Sequence, residues 1–277
     1  MFRNKRVLKI GEEDFNLGER TYIMGILNVT PDSFSDGGKH NSIEKALEHG
    51  RRMINEGVDI IDIGGESTRP DHEFVDAEEE IKRVVPVIKS LRKEFKNIPI
   101  SIDTYKAVVA EEALKAGANM INDVWGFKKD KDMARVAAEY DVPCCIMHNR
   151  EDRDYNNFIE DMIEDLREII NIAKEAGVKD ENIILDPGIG FAKDQRENLM
   201  AMKHLERLND LGYPWLLGTS RKSMIGNALN LPKDERLEGT LATTAIGIVK
   251  GCDFVRIHDV LENKRVAMMT DAIERLK

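Results

Sequence analysis

The chain has 277 residues, of which 42% are hydrophobic and 33% charged, and its formal net charge at pH 7 is −10. This length predicts a single domain, and the acidic charge disfavours nucleic acid as a partner, because phosphates require a basic surface. No apolar run approaches the ~18 residues of a membrane span, and Met1–Lys9 is basic without the apolar core of a signal peptide, so no membrane partner and a cytoplasmic location are expected.

The predicted elements alternate along the chain between short apolar runs and longer stretches of helical periodicity. The strands are predicted at Ile23–Val29, Val58–Ile63, Ile98–Ile102, Asn119–Asn122, Pro143–Met147, Asn182–Leu185, Trp215–Gly218 and Asp253–Ile257. The helices are predicted at Ser42–Asn55, Asp76–Phe95, Tyr105–Ala116, Lys131–Tyr140, Asn156–Glu175, Asp194–Asn209, Leu237–Lys250 and Val260–Arg275. Candidate caps are Ser42 before the first helix and Gly57, Gly117 and Gly177 after their helices.

Eight strand–helix repeats predict parallel strands joined by right-handed crossovers, and eight such units close into an α/β fold of the (β/α)8 TIM barrel type. We expect one domain over residues 1–277, with the barrel proper from about residue 22. The segment Val7–Leu17 precedes the barrel and is predicted to form a short hairpin that closes its bottom. A doubly wound open sheet is the alternative, although such sheets more often have about five to seven strands.

Polar or ionisable side chains follow every predicted strand. The carboxyl ends of barrel strands form one rim, so these side chains are predicted to lie together. A single Asp or Asn there is more often a turn or cap residue, but cations, carboxylates and carboxamides from all the strands together favour a binding site. Asp103, Asn122 and Asp186 suit the edge of a flat polar ring, whereas Thr68, Arg69, Lys222, Arg256 and His258 suit a phosphate or carboxylate.

Two glycine-containing loops, Thr30–Lys39 and Gly64–Asp71, complete the predicted rim and are expected to close over a substrate. Several other kinds of site are not supported, because the sequence lacks a readable catalytic triad, an HExxH motif, zinc-ligand spacing and a GxGxxG motif. Three cysteines, Cys144, Cys145 and Cys252, have no disulfide spacing and are expected as structural thiols.

Eight sequence blocks are distinctive enough to compare with known families. They are Met24–Gly38, Asp62–Pro70, Ser101–Lys106, Ile121–Gly126, Ile146–Arg150, Asp186–Phe191, Gly218–Lys222 and Val255–Val260. In this order they resemble the bacterial-type dihydropteroate synthases, a family of pterin-binding barrel enzymes. The resemblance implies a transferase of folate biosynthesis that joins a pterin methyl diphosphate to p-aminobenzoate, uses Mg²⁺ and forms a homodimer. One departure is Asp71, where the family commonly has Gly.

The resemblance also implies roles for individual residues. Asn28 is similar to the Mg²⁺ ligand. The implied pterin-binding residues are Asp103, Asn122, Met147, Asp186 and Lys222, and the diphosphate-binding residues are Thr68, Arg69, Arg256 and His258. The implied p-aminobenzoate cleft contains Phe34, Pro70, Phe191 and Ser220, while Asp36, Arg69 and Lys222 are implied to take part in catalysis.

Two alternative functions stay open at this point. A methyltetrahydrofolate-binding methyltransferase has a related barrel, but it would not need the blocks that contain Lys222 and Arg256. A non-catalytic paralogue that only binds pterin would not need the leaving-group residues Asn28, Arg256 and His258. The expected reaction itself needs no strong general base, because an arylamine is already neutral at pH 7.

The sequence says little about oligomeric state. The last two predicted helices carry apolar positions such as Ala242, Ile246 and Val249. We expect these positions to pack against the barrel rather than to form a dimer face, so the homodimer is implied by resemblance alone.

Overall fold

The strands of the computed structural model, which describes residues 6–30, 39–67 and 74–276, form two sheets. Strands β1 (Arg6–Ile10) and β2 (Glu13–Leu17) pair antiparallel as a hairpin. The second sheet contains β3 (Tyr22–Asn28), β4 (Ile60–Gly64), β5 (Ile100–Asp103), β6 (Met120–Asp123), β7 (Cys144–Met147), β8 (Ile183–Asp186), β9 (Leu216–Leu217) and β10 (Phe254–Ile257). Its strand order is β8-β7-β6-β5-β4-β3-β10-β9, and neighbouring strands are parallel.

The two end strands of this order, β8 and β9, meet at an isolated parallel bridge between Leu185 and Trp215. The Leu185 N–H also donates to the Pro214 carbonyl at 2.9 Å. The sheet therefore closes on itself, which confirms the predicted (β/α)8 TIM barrel and excludes the doubly wound open sheet.

Helices follow the strands around the outside of the barrel. They are α1 (Lys39–Glu56), α2 (Ala77–Glu94), α3 (Ala107–Ala116), α4 (Met133–Glu139), α5 (Phe158–Glu175), α6 (Gln195–Lys203), α7 (Ser223–Leu229), α8 (Leu237–Val249) and α9 (Val260–Glu274). Short 3-10 helices occupy Asp180–Asn182, Leu205–Leu211 and Lys233–Glu235. Within the described ranges, no helix combines the length and apolarity that crossing a bilayer requires.

Three sequence predictions about the helices need correction. Helix α1 begins at Lys39, so Ser42 lies inside it and does not cap it. The predicted helix Asp194–Asn209 is interrupted, because α6 ends at Lys203 and the chain tightens into a 3-10 helix. On α8, Ala242, Ile246 and Val249 are exposed rather than packed on the barrel, because the helix buries a different face, which contains Thr244 and Ile248.

The three glycines that were predicted to end helices do so. Gly57, Gly117 and Gly177 have φ angles of +85°, +115° and +93°. These values lie in the left-handed region that glycine enters without a Cβ penalty, which explains why the preceding helices end there. The three cysteines are free and buried, as expected for structural thiols.

The hairpin closes the amino-terminal end of the barrel, as predicted. It contributes Leu8, Ile10, Phe15 and Leu17 to an apolar cluster with Tyr22, Met24, Ile60, Met120, Cys145, Ile184, Leu216 and Phe254 of the barrel strands. The strand residues lie at or near the first positions of their strands. Burying each such side chain contributes about 1.5–3 kcal/mol, so these residues form a packed apolar plug in the lower part of the interior.

Candidate active site

Strand alternation explains why polar side chains line the upper interior. Residues two apart on a strand face the same side. Ile60, Met120, Ile184 and Phe254 belong to the lower apolar cluster. The residues two positions further along the same strands are Asp62, Asn122, Asp186 and Arg256. These four side chains therefore project into the barrel directly above the apolar layer.

A hydrogen-bonded cluster of Asp62, Asp103, Asn122 and Arg256, which we call the barrel-mouth cluster, joins four strands. The Arg256 guanidinium donates to Asp62 Oδ2 at 2.6 Å and to Asp103 Oδ2 at 2.5 Å. The Asn122 amide donates to Asp62 Oδ2 at 3.1 Å. Both aspartates are buried, so one cation is shared between two carboxylates in a site of low dielectric.

Two carboxylate oxygens of the cluster are still able to accept hydrogen bonds. Asp62 Oδ1 and Asp103 Oδ1 are buried and have no hydrogen-bond partner among the residues that the structure describes. Burial raises the pKa of Asp103 to about 7, with Arg256 opposing the shift and Asp62 adding to it. Unpartnered buried oxygens are costly, so the cluster is suited to a ligand that presents N–H groups.

Asp186 and Lys222 lie beside this cluster. Asp186 Oδ1 accepts a hydrogen bond from the Gly188 N–H at 2.7 Å, and burial raises its pKa against the opposing charge of Lys222. The Lys222 ammonium donates to the Ile189 carbonyl and lies 4.6 Å from the centre of the Phe191 ring. Burial lowers the pKa of Lys222 to about 8, while Asp186 favours its charged form.

Ser220 and His258 form a direct pair. Ser220 Oγ and His258 Nδ1 are 2.9 Å apart, and the same hydroxyl accepts from the His258 N–H at 3.2 Å. This pairing was not readable from the sequence, in which Ser220 was implied to line the p-aminobenzoate cleft. It arises because β10 and the segment after β9 are neighbours in the barrel.

Asn28 ends β3 beside Gly64, which ends β4. A Cβ added to Gly64 would lie 3.7 Å from Asn28 Oδ1 and 3.6 Å from Asp103 Oδ2, so the glycine leaves room for oxygen atoms to approach. Within the described residues, no three His, Cys, Asp or Glu side chains gather in a way that could hold a metal. A carboxamide oxygen such as Asn28 Oδ1 is a type of ligand that suits Mg²⁺, which keeps several waters and takes substrate phosphates as its other ligands.

The remaining predicted residues divide into two groups. Met147 is buried and pairs in register with Asp186, so it lies at the same level of the barrel. Phe34, Asp36, Thr68, Arg69, Pro70 and Asp71 lie outside the described residues.

Asp62 is the central residue to which the sequence analysis gave no role. It contacts both Arg256 and Asn122. The sequence pattern could have indicated this residue, because Asp62 is an ionisable residue on an otherwise apolar strand. It lies two positions after Ile60 and therefore faces the same side, which is the barrel interior.

The comparisons with known proteins agree with this geometry. Residues 24–258 match the family described as pterin binding enzyme. A dihydropteroate synthase of Clostridium beijerinckii is 69% identical over 269 residues, which are 97% of this chain and 100% of that protein. The chain therefore belongs to the pterin-binding enzyme family.

Solved structures place it more narrowly within that family. A dihydropteroate synthase of Clostridium difficile, determined in the presence of pteroic acid, superposes with a TM-score of 0.92 at 57% identity, over 94% of this chain and 99% of that one. A Xanthomonas albilineans dihydropteroate synthase with 4-aminobenzoic acid has a TM-score of 0.93 at 37% identity, over 99% and 100% of the two chains. Dihydropteroate synthases are thus the relatives that it resembles over almost its whole length.

Proposed function

We propose that the chain joins (7,8-dihydropterin-6-yl)methyl diphosphate to p-aminobenzoate, giving 7,8-dihydropteroate and diphosphate, which is the reaction of a dihydropteroate synthase. The observation that carries this proposal is a pair of buried carboxylate oxygens, Asp62 Oδ1 and Asp103 Oδ1, beside the cations of Lys222 and Arg256. Neither oxygen has a hydrogen-bond partner in the described part of the chain. A flat ring rich in N–H groups and an attached anion together satisfy such a site.

Asp103, Asn122 and Asp186 would bind the pterin edge, with Met147 and Lys222 beside the ring. A carboxylate can accept two N–H groups of an amino-pyrimidinone edge at once. Lys222 would donate to the ring carbonyl in place of the Ile189 carbonyl that it contacts here. The same carboxylates would stabilise positive charge on the ring if the carbon–oxygen bond breaks before the new bond forms.

Arg256 and His258 would bind the diphosphate, together with Thr68 and Arg69 of the second loop. Hydrogen bonds to a departing anion are worth most where water is excluded, and both residues lie at the carboxyl end of β10. Asn28 would hold Mg²⁺, which would supply charge neutralisation to the leaving group.

The second substrate would lie between Phe191 and Ser220, with Phe34 and Pro70 contributed by the loops. Its arylamine is neutral at pH 7, so the protein has to orient it rather than deprotonate it, and orientation alone is a large catalytic effect. Asp36, Arg69 and Lys222 are the residues to which we assign catalytic roles.

Incubation of the purified protein with the pterin diphosphate, p-aminobenzoate and Mg²⁺ tests the proposal. We expect dihydropteroate and diphosphate in equal amounts, and neither when p-aminobenzoate is omitted. Methyl transfer from methyltetrahydrofolate to a corrinoid protein would instead identify the related methyltransferase. Pterin binding without diphosphate release would identify a non-catalytic paralogue.

We further propose that two copies of the chain associate through α8 and α9. Ile246, Val249, Met268, Met269 and Ile273 are exposed on these helices. The two helices pack against each other, and exposed apolar side chains on neighbouring helices are a common feature of protein interfaces. A cytoplasmic location is proposed with it, and the three free thiols support a reducing compartment.

A further inference from the structure

Lys193 is a buried lysine that lies beneath the loop after β8 and has no assigned role. Its ammonium donates to the Gly188 carbonyl at 2.9 Å and to the Phe191 carbonyl at 3.1 Å. The same nitrogen is 2.7 Å from His148 Nδ1. An ammonium has three N–H donors and no acceptor, so these three partners match its full donor capacity.

The loop that Lys193 holds has an unusual backbone. Gly188, Gly190 and Ala192 have φ angles of +67°, +87° and +45°. A Cβ on Gly188 would come within 2.0 Å of the His148 carbonyl oxygen. Glycine enters the left-handed region without a Cβ penalty, whereas Ala192 carries a Cβ and keeps this conformation only because its surroundings determine it.

His148 lies between Lys193 and a second set of charged side chains, Asp165 and Arg150. His148 Nε2 is 2.9 Å from Asp165 Oδ2, and Arg150 holds the same carboxylate at 2.6 Å. Burial and the charge of Lys193 lower the pKa of His148 to about 3. The imidazole is therefore neutral, with Nε2–H donating to Asp165 and Nδ1 left to accept from Lys193.

Opposing effects act on the charge of Lys193 itself. Burial lowers its pKa to about 7, and the nearby Lys222 acts in the same direction. The carboxylates of Asp186, Asp165 and Glu197 favour the ammonium. The three acceptors around the nitrogen fit the charged form, which can satisfy all of them at once.

We propose that Lys193 is a positioning residue for the second substrate, because its ammonium fixes the loop from Gly188 to Phe191 and so presents the Phe191 ring to p-aminobenzoate. The inference rests on the proposed function, in which Phe191 lines the p-aminobenzoate cleft. Two proposed pterin residues also contact this loop, since Asp186 accepts from the Gly188 N–H and Lys222 donates to the Ile189 carbonyl. Asp186 is nevertheless held by the sheet as the last residue of β8, and Lys222 would exchange the Ile189 carbonyl for the ring, so the pterin subsite should depend on Lys193 less than the Phe191 ring does.

Steady-state kinetics of Lys193→Met test the proposal, with Lys203→Met as a matched control because Lys203 is an exposed lysine ten residues away. We expect the KM for p-aminobenzoate to rise by about 10-fold or more, because small displacements of a positioning group are costly. The KM for the pterin diphosphate and the kcat at saturating p-aminobenzoate should stay within about 3-fold of wild type. Lys203→Met should match wild type throughout.

Two further variants keep the result decisive. If Lys193→Met does not fold, Lys193→Gln keeps two N–H donors without the charge and should show the same selective rise in KM to a smaller extent. Phe191→Ala tests the cleft assignment directly, because an unchanged KM for p-aminobenzoate in this variant overturns that assignment. A raised KM for p-aminobenzoate in Phe191→Ala with no rise in the Lys193 variants overturns the positioning role. So does a Lys193 variant in which the KM values of both substrates rise and the kcat falls by similar factors.

Discussion

Asp186 shows how one residue combines a local structural bond with an available ligand contact. Its Oδ1 accepts from the Gly188 N–H, while its Oδ2 lies 3.6 Å from where a Cβ on Gly218 would be. Gly218 thus leaves space on the side of the carboxylate that faces the barrel interior. In the proposed function the same carboxylate binds the pterin edge, so this short strand-end aspartate would fix the start of a loop and face the substrate as well.

We expect Asp186→Asn to weaken pterin binding by about 2 kcal/mol, because a buried charge-assisted hydrogen bond is replaced by a neutral one. Isothermal calorimetry with the pterin diphosphate measures this difference. Asp234→Asn, at an exposed position, should bind as the wild type does. Unchanged binding in Asp186→Asn would remove this residue from the ring subsite.

Lys222 leads to a prediction about pH. The pKa of its ammonium is lowered to about 8, so the group is charged below that pH and loses its proton as the pH rises through it. If only the charged form donates to the ring, the pterin dissociation constant should rise about 10-fold per pH unit above about pH 8. Calorimetry between about pH 6 and 9.5 measures the slope.

Lys222→Arg provides the control for this prediction, because a guanidinium stays protonated over the whole range. This variant is expected to bind more weakly but without the alkaline slope. A slope equal to that of the wild type would mean that another group titrates.

At the scale of elements, a buried ion cluster links the ends of the loop after β4 to α2 and α3. Lys106 donates to Glu66 and, at 2.6 Å, to Glu80. Glu66 lies before residues 68–73, and its carboxylate also accepts from the N–H of Val75, which lies after them, at 3.3 Å. All three charged side chains are buried.

We expect Lys106→Met to destabilise the protein by about 3 kcal/mol, because two buried carboxylates lose their shared cation. Urea unfolding followed by circular dichroism measures the change. Lys115→Met on the exposed face of α3 should change stability by less than about 0.5 kcal/mol. Adding Glu80→Gln to Lys106→Met should recover part of the loss, and a further loss would contradict the pairing.

Elements with a strong hydrophobic periodicity were predictable from the sequence, whereas elements that depend on tertiary packing were not. All eight barrel strands were found, because each is a buried apolar run between turn residues. Helix α7 was not, since its residues include Gly226 and Asn227, which favour other conformations. A Cβ on Gly226 would lie 2.2 Å from the Arg236 guanidinium, so this helix depends on a close contact that no local pattern encodes.

The same distinction holds within the candidate site. The positions of Asp103, Asn122 and Asp186 were predictable because each lies at or next to the carboxyl end of its strand. The partner of Ser220 was not, since His258 is 38 residues away along the chain. Lys193 and Asp165 were equally hidden, because a lysine or aspartate on a loop or an amphipathic helix is usually a solvated residue.

At the scale of the whole molecule, the hairpin makes a direct contribution to stability. The Phe15 ring centre is 4.7 Å from Tyr22 and 6.0 Å from Phe254. Phe15→Ala should destabilise the protein by about 3–5 kcal/mol through the cavity that it leaves, measured by chemical unfolding. Val7→Ala on the exposed side of the hairpin is the control, and equal effects of the two changes would contradict the plug.

The proposed dimer is tested at the same scale. Met269→Glu places a charge on the exposed apolar surface of α8 and α9 and should raise the dimer dissociation constant by at least about 10-fold, measured by sedimentation equilibrium. Leu199→Glu changes an exposed apolar residue on α6 and should leave association unchanged. A monomeric wild-type protein would exclude the dimer.

The isolated bridge that joins β8 to β9 has a consequence for the barrel as a ring. Every other junction of the ring has at least two paired residues, whereas this seam depends on Leu185 and Trp215. The chain leaving one side of the seam carries Phe191, and the chain leaving the other side carries Ser220. A ligand bound between Phe191 and Ser220 would contact the chain on both sides of this junction and so stabilise it. Ligand binding in that cleft should therefore slow the exchange of the Leu185 amide hydrogen with solvent.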